Sequence, residues 1–197
     1  VWYDSGSVPF AQYHYPSENE NFFKDMFPAD FIAEGVDQTR GWFFTLHALS
    51  IMLFGESSFK NVISNGLVLD KDGNKMSKRL GNAVDPFEII ERYGPDATRW
   101  YMIANSNPWD NLKFNEDGIA EFSRKFFETL SNTYNFFALY ANVDGYSGTE
   151  NLIPYARRTF DDRWIISKLN SLVKEVELSM NSYNPTKAAR LINDFIN

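Results

Sequence analysis

The chain has 197 residues, 44% hydrophobic and 17% aromatic, with a net charge of −7 at pH 7, which excludes an intrinsically disordered protein and leaves room for one large or two small domains. It contains no cysteine and two histidines, which excludes disulfides, cysteine-ligated metals and a histidine-rich metal site. The longest uncharged runs are 15 residues long, among them Gly41 to Gly55. Because a membrane-spanning helix needs about 20 apolar residues, we expect a soluble, cytoplasmic protein.

The first half of the sequence predicts short strands between turns and helices. Phe31 to Ala33 is a short apolar run that predicts a buried strand, and Glu34-Gly35 follows it as a loop. Asp37 is a candidate cap for a helix that continues to Phe54 and ends at Gly55. The helix is apolar nearly all round, so we expect it to be buried.

A second group of elements follows in the stretch from residue 61 to residue 104. Residues 61–64 and 66–69 are strand-like, with a break at Asn65-Gly66, and residues 70–74 predict a turn. Asp85 with Pro86 and Glu88 forms a helix start, and a further helix begins at Pro95 and runs to about Ala104.

Apolar side chains change to a spacing of three and four residues in the second half, which predicts two long amphipathic helices with their apolar stripes in a core. The first stripe comprises Ile119, Phe122, Phe126, Leu130, Thr133, Phe137 and Tyr140, and the second Ile165, Leu169, Leu172, Val176, Met180 and Tyr183. A third helix follows Asn184-Pro185. This pattern predicts an antiparallel helical bundle over residues 111–197.

The segment from Asp70 to Asn82, DKDGNKMSKRLGN, carries the strongest chemical signal. Lys75, Lys78 and Arg79 place three positive charges within five residues, next to two glycines. Lysine ammonium groups on a glycine-containing loop are suited to the oxygens of a polyphosphate. The alternative is a solvated basic turn.

The string KMSKR, after a DxxGxK turn, resembles the KMSKS signature of class I aminoacyl-tRNA synthetases, with Arg79 in place of the final serine. VWYDSG at residues 1–6 and AEGVDQTRGWF at residues 33–43 resemble the isoleucyl branch of that family. Gln38 and the Arg40-Gly41-Trp42 segment depart from the GxDIxxFW pattern of valyl enzymes. The resemblance extends over essentially the whole chain.

The resemblance assigns a role to individual residues. In this family the lysine-bearing loop closes over ATP and its second lysine stabilises the departing pyrophosphate, which implies a catalytic Lys78 assisted by Lys75. The resemblance further implies ATP contacts near the adenine for Asn65, Gly66 and Met76. The residues that resemble the loop holding the aminoacyl-adenylate are Glu34, Gly35, Asp37 and Gln38. Carboxylates there can pair with the α-ammonium of the substrate. Trp2 and Trp42 match the aromatic walls of the isoleucine pocket.

The resemblance therefore implies an α/β Rossmann-like C-terminal half of a class I catalytic domain over residues 1–110, followed by the start of a helical anticodon-binding domain over residues 111–197. The parent protein is expected to be a monomer that joins isoleucine to tRNA(Ile) with ATP and Mg²⁺, and we expect no metal site within this chain. The sequence holds no HIGH-type motif and no editing insertion, which in this family precede VWYDSG. We therefore expect a fragment that is inactive alone.

Two alternatives remain open from the residues. One is a synthetase for valine or another aliphatic amino acid. The other is a non-catalytic RNA-binding or interaction module that uses the helical half. Residues 111–197 carry a net charge of −1, which disfavours tight binding of tRNA by that half alone.

Overall fold

The computed structural model describes residues 1–148 and 151–197, and these form two compact units. Unit 1 comprises Val1–Leu69 with Pro108–Leu112, and unit 2 comprises Asp70–Asn107 with Lys113–Asn197. The strands are β1 (Ile32–Gly35), β2 (Val62–Asn65), β3 (Val68–Leu69) and β4 (Leu112–Lys113). The α-helices are α1 (Trp2–Ala11), α2 (Glu20–Met26), α3 (Trp42–Phe54), α4 (Pro86–Tyr93), α5 (Pro95–Asn105), α6 (Glu116–Phe122), α7 (Thr129–Val143), α8 (Phe160–Asn181) and α9 (Pro185–Ile196).

Unit 1 is built on a βαβ unit. Strands β1 and β2 pair in parallel, with Ile32 opposite Val62 and Gly35 opposite Asn65, and α3 connects them. Helix α1 packs against α3 so closely that a Cβ on Gly6 would lie 2.8 Å from Leu49 Cδ1. The predicted strands are confirmed, but β1 is half-buried rather than buried, and the predicted loop at Glu34-Gly35 is wrong because both residues belong to β1.

Two predictions about α3 are wrong. The helix is not buried all round: Phe43 and Leu46 are buried, whereas Phe44 is 63% and Met52 70% exposed, because α1 covers one face only. Asp37 does not cap it, because residues Val36–Arg40 form a separate 3₁₀ turn. The predicted end is confirmed, since Gly55 follows the helix with φ of 75° in the left-handed region.

Unit 2 begins with helices that the sequence located well. The Asp85 side chain accepts a hydrogen bond from the Phe87 N–H at the start of α4, and Pro86 and Pro95 open α4 and α5. The other end of α5 is closed by α9. Thr186 Oγ donates to the carbonyl oxygens of Ile103 (2.8 Å) and Ser106 (3.0 Å). Carbonyl groups that a helix terminus leaves without partners are thereby satisfied.

The predicted long helices are confirmed as helices, with a π-helical segment, Ser123–Glu128, between α6 and α7. Only some side chains of the first apolar stripe lie in a core. Ile119 is fully buried and Phe126 stacks on Trp100 at 4.5 Å between ring centroids, but Phe137 is 57% and Tyr140 52% exposed. Helix α7 contains no buried residue, so the predicted core position of its stripe is wrong in this structure. The bundle remains a prediction, as does a domain boundary at residue 110.

Across the two described stretches, none of the helices combines the length and the apolar character that crossing a membrane requires.

Candidate functional site

The predicted site residues of unit 1 gather at one edge of its parallel sheet. Gly35 lies opposite Asn65 and Glu34 opposite Ser64, at the points where β1 and β2 end. Ligands of open α/β sheets bind beyond the carboxyl ends of such strands. The register therefore places the end of β1 beside Asn65. The segment Glu34 to Gln38, which comprises the last two residues of β1 and the start of the following 3₁₀ turn, is called the strand-end loop below.

Contacts within the strand-end loop fix its shape. A Cβ on Gly35 would lie 2.6 Å from Asp37 Oδ1, so a larger residue at this position would displace the Asp37 carboxylate. Gln38 Nε2 donates to Asp37 Oδ2 at 3.1 Å, and Gln38 Oε1 accepts the Trp42 N–H at 3.0 Å, which caps α3. The Glu34 and Asp37 side chains are exposed. Two carboxylates on an ordered loop can bind an ammonium group.

The two tryptophans of the predicted pocket lie beside this loop. Trp42 Nε1 donates to the Ser5 carbonyl oxygen at 3.0 Å, which ties the start of α3 to α1. Gly41 is buried, and a Cβ there would lie 3.0 Å from Trp2 Cη2 and 2.8 Å from Gln38 Oε1. Trp2 is 56% exposed, so its ring is an open wall rather than part of a core.

Gly66 has a role in the fold of unit 1 as well. Its N–H donates to the Pro108 carbonyl oxygen at 2.8 Å, and a Cβ at this position would collide with the carbonyl oxygen of Asp110. The next residue, Leu67, donates its N–H to Asn111 Oδ1 at 2.8 Å. The close approach of the backbone at Pro108 and Asp110 thus explains why residue 66 is glycine. A contact between Gly66 and adenine stays a prediction.

The segment from Asp70 to Asn82 of unit 2, called the lysine loop below, is held closed at its base. Asp70 Oδ1 accepts the N–H groups of Asp72 (3.0 Å) and Asn74 (2.7 Å), and its Oδ2 accepts from Asn82 Nδ2 at 2.8 Å. Asn82 Oδ1 in turn accepts the Ser77 N–H at 2.9 Å. The Asn82 amide, followed by the Asn74 N–H, lowers the pKa of Asp70 below its ordinary value.

The basic side chains of the lysine loop point to solvent rather than to carboxylates. Lys75 and Lys78 are exposed, and among the described residues neither forms an ion pair. Lys78 opens a 3₁₀ turn that the Ser77 hydroxyl caps by accepting the Leu80 N–H at 3.2 Å. Met76 is half-buried and lines a cavity of about 450 Å³ together with Phe114. Unpaired ammonium groups on a braced loop can bind phosphate oxygens.

The lysine loop also contains functional groups that the sequence did not single out. In the sequence, Asp70 and Asn82 stand out only as the first and last residues of the segment, yet their side chains join the two ends of the loop. The available signal was the pattern of an Asx turn, in which an aspartate accepts backbone N–H groups of following residues.

Within residues 1–148 and 151–197, no group of three or more His, Asp or Glu side chains is placed to hold a metal ion.

Comparison with known proteins places these features in a family. Residues 1–115 match the family model described as tRNA synthetases class I (I, L, M and V). The whole chain is 67% identical over 196 residues to "Isoleucine--tRNA ligase" of Cytophaga hutchinsonii and covers 18% of that protein. It is 48% identical to the ligase of the same name from Thermus thermophilus, of which it covers 19%. The chain thus spans less than one fifth of the length of these relatives.

Two solved structures share the fold at low sequence identity. A LeuRS–tRNA–LeuAMS ternary complex from Agrobacterium radiobacter K84 matches 98% of this chain and 26% of that chain, with a TM-score of 0.77 and 19% identity. The Mycobacterium tuberculosis methionyl-tRNA synthetase with methionyl-adenylate matches 94% of this chain and 36% of that chain, with a TM-score of 0.75 and 19% identity. Both likenesses concern the fold alone, and they confirm the predicted Rossmann-like synthetase architecture at that level.

Proposed function

The chain belongs to the class I tRNA synthetases (I, L, M and V), and on that premise we propose that it is part of an isoleucine–tRNA ligase. The parent protein activates isoleucine with ATP to the aminoacyl-adenylate and transfers the aminoacyl group to tRNA(Ile). The names of the relatives favour isoleucine over valine, and their identity extends over the whole chain. The observation that carries the proposal is the register that brings the strand-end loop to the carboxyl edge of the sheet.

The strand-end loop is proposed to hold the amino-acid end of the adenylate. The exposed carboxylates of Glu34 and Asp37 would bind the α-ammonium group, while the Gln38 side chain keeps the loop attached to the start of α3. Trp2 and Trp42 would form apolar walls for the branched side chain of isoleucine. Since one methylene changes binding by only about 1–3 kcal/mol, these walls alone discriminate weakly against valine.

The lysine loop is proposed to bind the phosphates of ATP. When the carboxylate of isoleucine attacks the α-phosphate, the bond from the α-phosphate to the bridging oxygen breaks and pyrophosphate leaves. Lys78, assisted by Lys75, would stabilise the charge that develops on pyrophosphate. Asn65, Gly66 and Met76 are the proposed contacts near the adenine. Mg²⁺ is the proposed companion of ATP, and within the described residues no three His, Asp or Glu side chains are grouped to hold a metal ion.

The proposal extends to partners and domains. We assign residues 1–110 to the catalytic domain and residues 111–197 to the start of a helical domain that serves tRNA binding, in a protein that acts as a monomer in the cytoplasm. The support for tRNA as partner is that the LeuRS structure with the same fold contains tRNA.

Amino-acid-dependent exchange of pyrophosphate into ATP by the full-length protein tests the proposal. We expect isoleucine to support exchange, and Lys78→Ala to lower its kcat by about 10²- to 10³-fold, the usual effect of removing one group that stabilises transition-state charge. Lys71→Ala is the matched control, an exposed lysine of the same loop outside the motif. Exchange supported better by valine or leucine, or equal effects of the two substitutions, would contradict the proposal.

A further inference from the structure

A lysine outside the recognised motif lies against the base of the lysine loop. Gly73 has φ of 90°, in the left-handed region, and occupies the turn two residues before Lys75. A Cβ at Gly73 would lie 3.1 Å from Lys113 Cε, 3.5 Å from its Nζ and 4.0 Å from its Cδ. The aliphatic stem of Lys113 therefore occupies the space beside this turn that a side chain would otherwise need.

The backbone of Lys113 is held by a buried side chain. Tyr101, 3% exposed, donates its hydroxyl to the Lys113 carbonyl oxygen at 3.0 Å and accepts the Asn115 N–H at 3.1 Å. The Tyr101 ring is fixed in turn, because a Cβ on Gly118 would lie 2.5 Å from its Cε2. Burial raises the pKa of Tyr101, so the phenol keeps its proton and its donor role at neutral pH. Lys113 thus extends from a rigid support.

The turn beside Lys113 is also bound to Asp70. The Gly73 N–H donates to the Asp70 carbonyl oxygen at 3.0 Å, and the Asn74 N–H donates to Asp70 Oδ1 at 2.7 Å. Residues 72–74 therefore lie between two supports, one formed by the Asp70 carboxylate and backbone and the other by the stem of Lys113.

We propose that Lys113 is a positioning residue for the lysine loop: its aliphatic stem seats the turn at Gly73 and so sets the place from which Lys75 and Lys78 reach the phosphates. The inference rests on the proposed function for the identity of the ligand, ATP. The proposed role belongs to the stem rather than to the charge, because Cε is the Lys113 atom nearest to the position that a Cβ on Gly73 would occupy. Methionine has a side chain of similar length without the ammonium group, so Lys113→Met separates the effect of the stem from that of the charge.

The first test measures ATP–pyrophosphate exchange by the full-length protein carrying Lys113→Ala or Lys113→Met. We expect Lys113→Ala to lower kcat/KM for ATP by about 10- to 100-fold, the range that displacement of a catalytic group produces. The KM for isoleucine should stay unchanged, because the strand-end loop is untouched. Lys113→Met should restore at least half of the wild-type kcat/KM. Wild-type kinetics in Lys113→Ala, or equal losses in both variants, would overturn the proposal.

The second test does not depend on the reaction. Hydrogen exchange of the amides in residues 72–75 of the same proteins should be about tenfold faster in Lys113→Ala than in the wild type, and close to the wild-type rate in Lys113→Met. Unchanged exchange in Lys113→Ala would overturn the positioning role. Should the wild-type protein fail to use isoleucine, the proposed function would fall, but this comparison would still decide whether Lys113 seats the loop.

Discussion

Asp70 holds the lysine loop closed, because its carboxylate accepts the N–H groups of Asp72 and Asn74 within the first turn and also the Asn82 amide, which joins the two ends of the loop. Asp70→Asn replaces one accepting oxygen by an amide that cannot accept from Asn82. We expect a fall of about 10- to 100-fold in kcat/KM for ATP, as for other displacements of catalytic groups. Pyrophosphate exchange measures it, with Asp72→Asn as control, since within the described part of the chain Asp72 takes part in this network through its backbone N–H and not its side chain. Equal activity of the two variants would contradict this role.

Because the pKa of Asp70 is lowered, the hydrogen bonds that its carboxylate accepts in the lysine loop should weaken only at low pH. Hydrogen bonds from Asn82 and Asn74 favour the carboxylate, so its contribution to loop order is fully present above the ordinary aspartate pKa of about 3.9 and is lost as pH falls through the lower folded value. Hydrogen exchange in residues 72–75 should show protection, corrected for intrinsic rates, that persists below pH 4 and then disappears. Loss of protection between pH 7 and pH 5 would contradict the assignment.

How far single residues could be predicted depended on the range of their contacts. The strand-end loop was found because strand ends are visible in local sequence, and the structure brings Glu34 and Asn65 to one sheet edge. The contact between Gly73 and Lys113 was not found, because it joins residues 40 positions apart and depends on the packing of Tyr101. No local pattern carries that information.

At the scale of elements, α9 closes the C-terminus of α5 with two side chains. Thr186 is 1% exposed and binds two carbonyl groups, and Arg190 donates from Nε to the Ala104 carbonyl oxygen at 2.8 Å and from Nη2 to that of Asn105 at 2.9 Å. Thr186→Val keeps the shape but removes the hydroxyl that lies within hydrogen-bond distance of both carbonyl oxygens. We expect a loss of about 1–3 kcal/mol in the free energy of local opening of α5 and α9.

Hydrogen exchange of the α5 and α9 amides in the full-length protein measures that loss. Thr133→Val is the matched control, because its exposed hydroxyl binds only the Thr129 carbonyl oxygen within α7, and we expect a change below about 0.5 kcal/mol there. Thr186→Ser should retain most of the stability. Equal protection in Thr186→Val and the wild type would show that the hydroxyl does not stabilise the contact.

Helices could be located from the sequence where the residues at their own ends favour a helix start or stop. The Asp85-Pro86 start of α4 and the Gly55 end of α3 are local and are confirmed. Helix α1 was missed because Gly6 and Pro9 disfavour a helix, and its stability comes from packing on α3, where Gly6 allows close approach. For α7 the local pattern predicted the helix correctly but not its burial. An apolar stripe shows that a helix is amphipathic, but it does not show which element packs against the stripe.

At the scale of the whole molecule, the chain exposes many large apolar side chains on α7. These side chains, all more than half exposed, are Tyr134, Phe136, Phe137, Leu139, Tyr140 and Val143. So many exposed large apolar side chains on one helix are unusual for a soluble monomer. The isolated chain of 197 residues should therefore enhance the fluorescence of the dye ANS, and Phe137→Glu with Val143→Glu should reduce the signal without loss of helix content. An isolated wild-type chain that does not bind the dye would contradict this expectation.

The activity expected of the isolated chain depends on how much of the catalytic site it contains. Adenylate formation depends on holding isoleucine and ATP in a reactive geometry, and effective molarities of about 10⁵–10⁸ M are lost when that geometry is incomplete. This chain supplies the strand-end loop and the lysine loop, but it spans less than one fifth of the isoleucine–tRNA ligases it resembles. We therefore expect no isoleucine-dependent pyrophosphate exchange by residues 1–197 under conditions in which the full-length protein is active. Exchange by the isolated chain, abolished by Lys78→Ala, would show instead that these two loops suffice for activation.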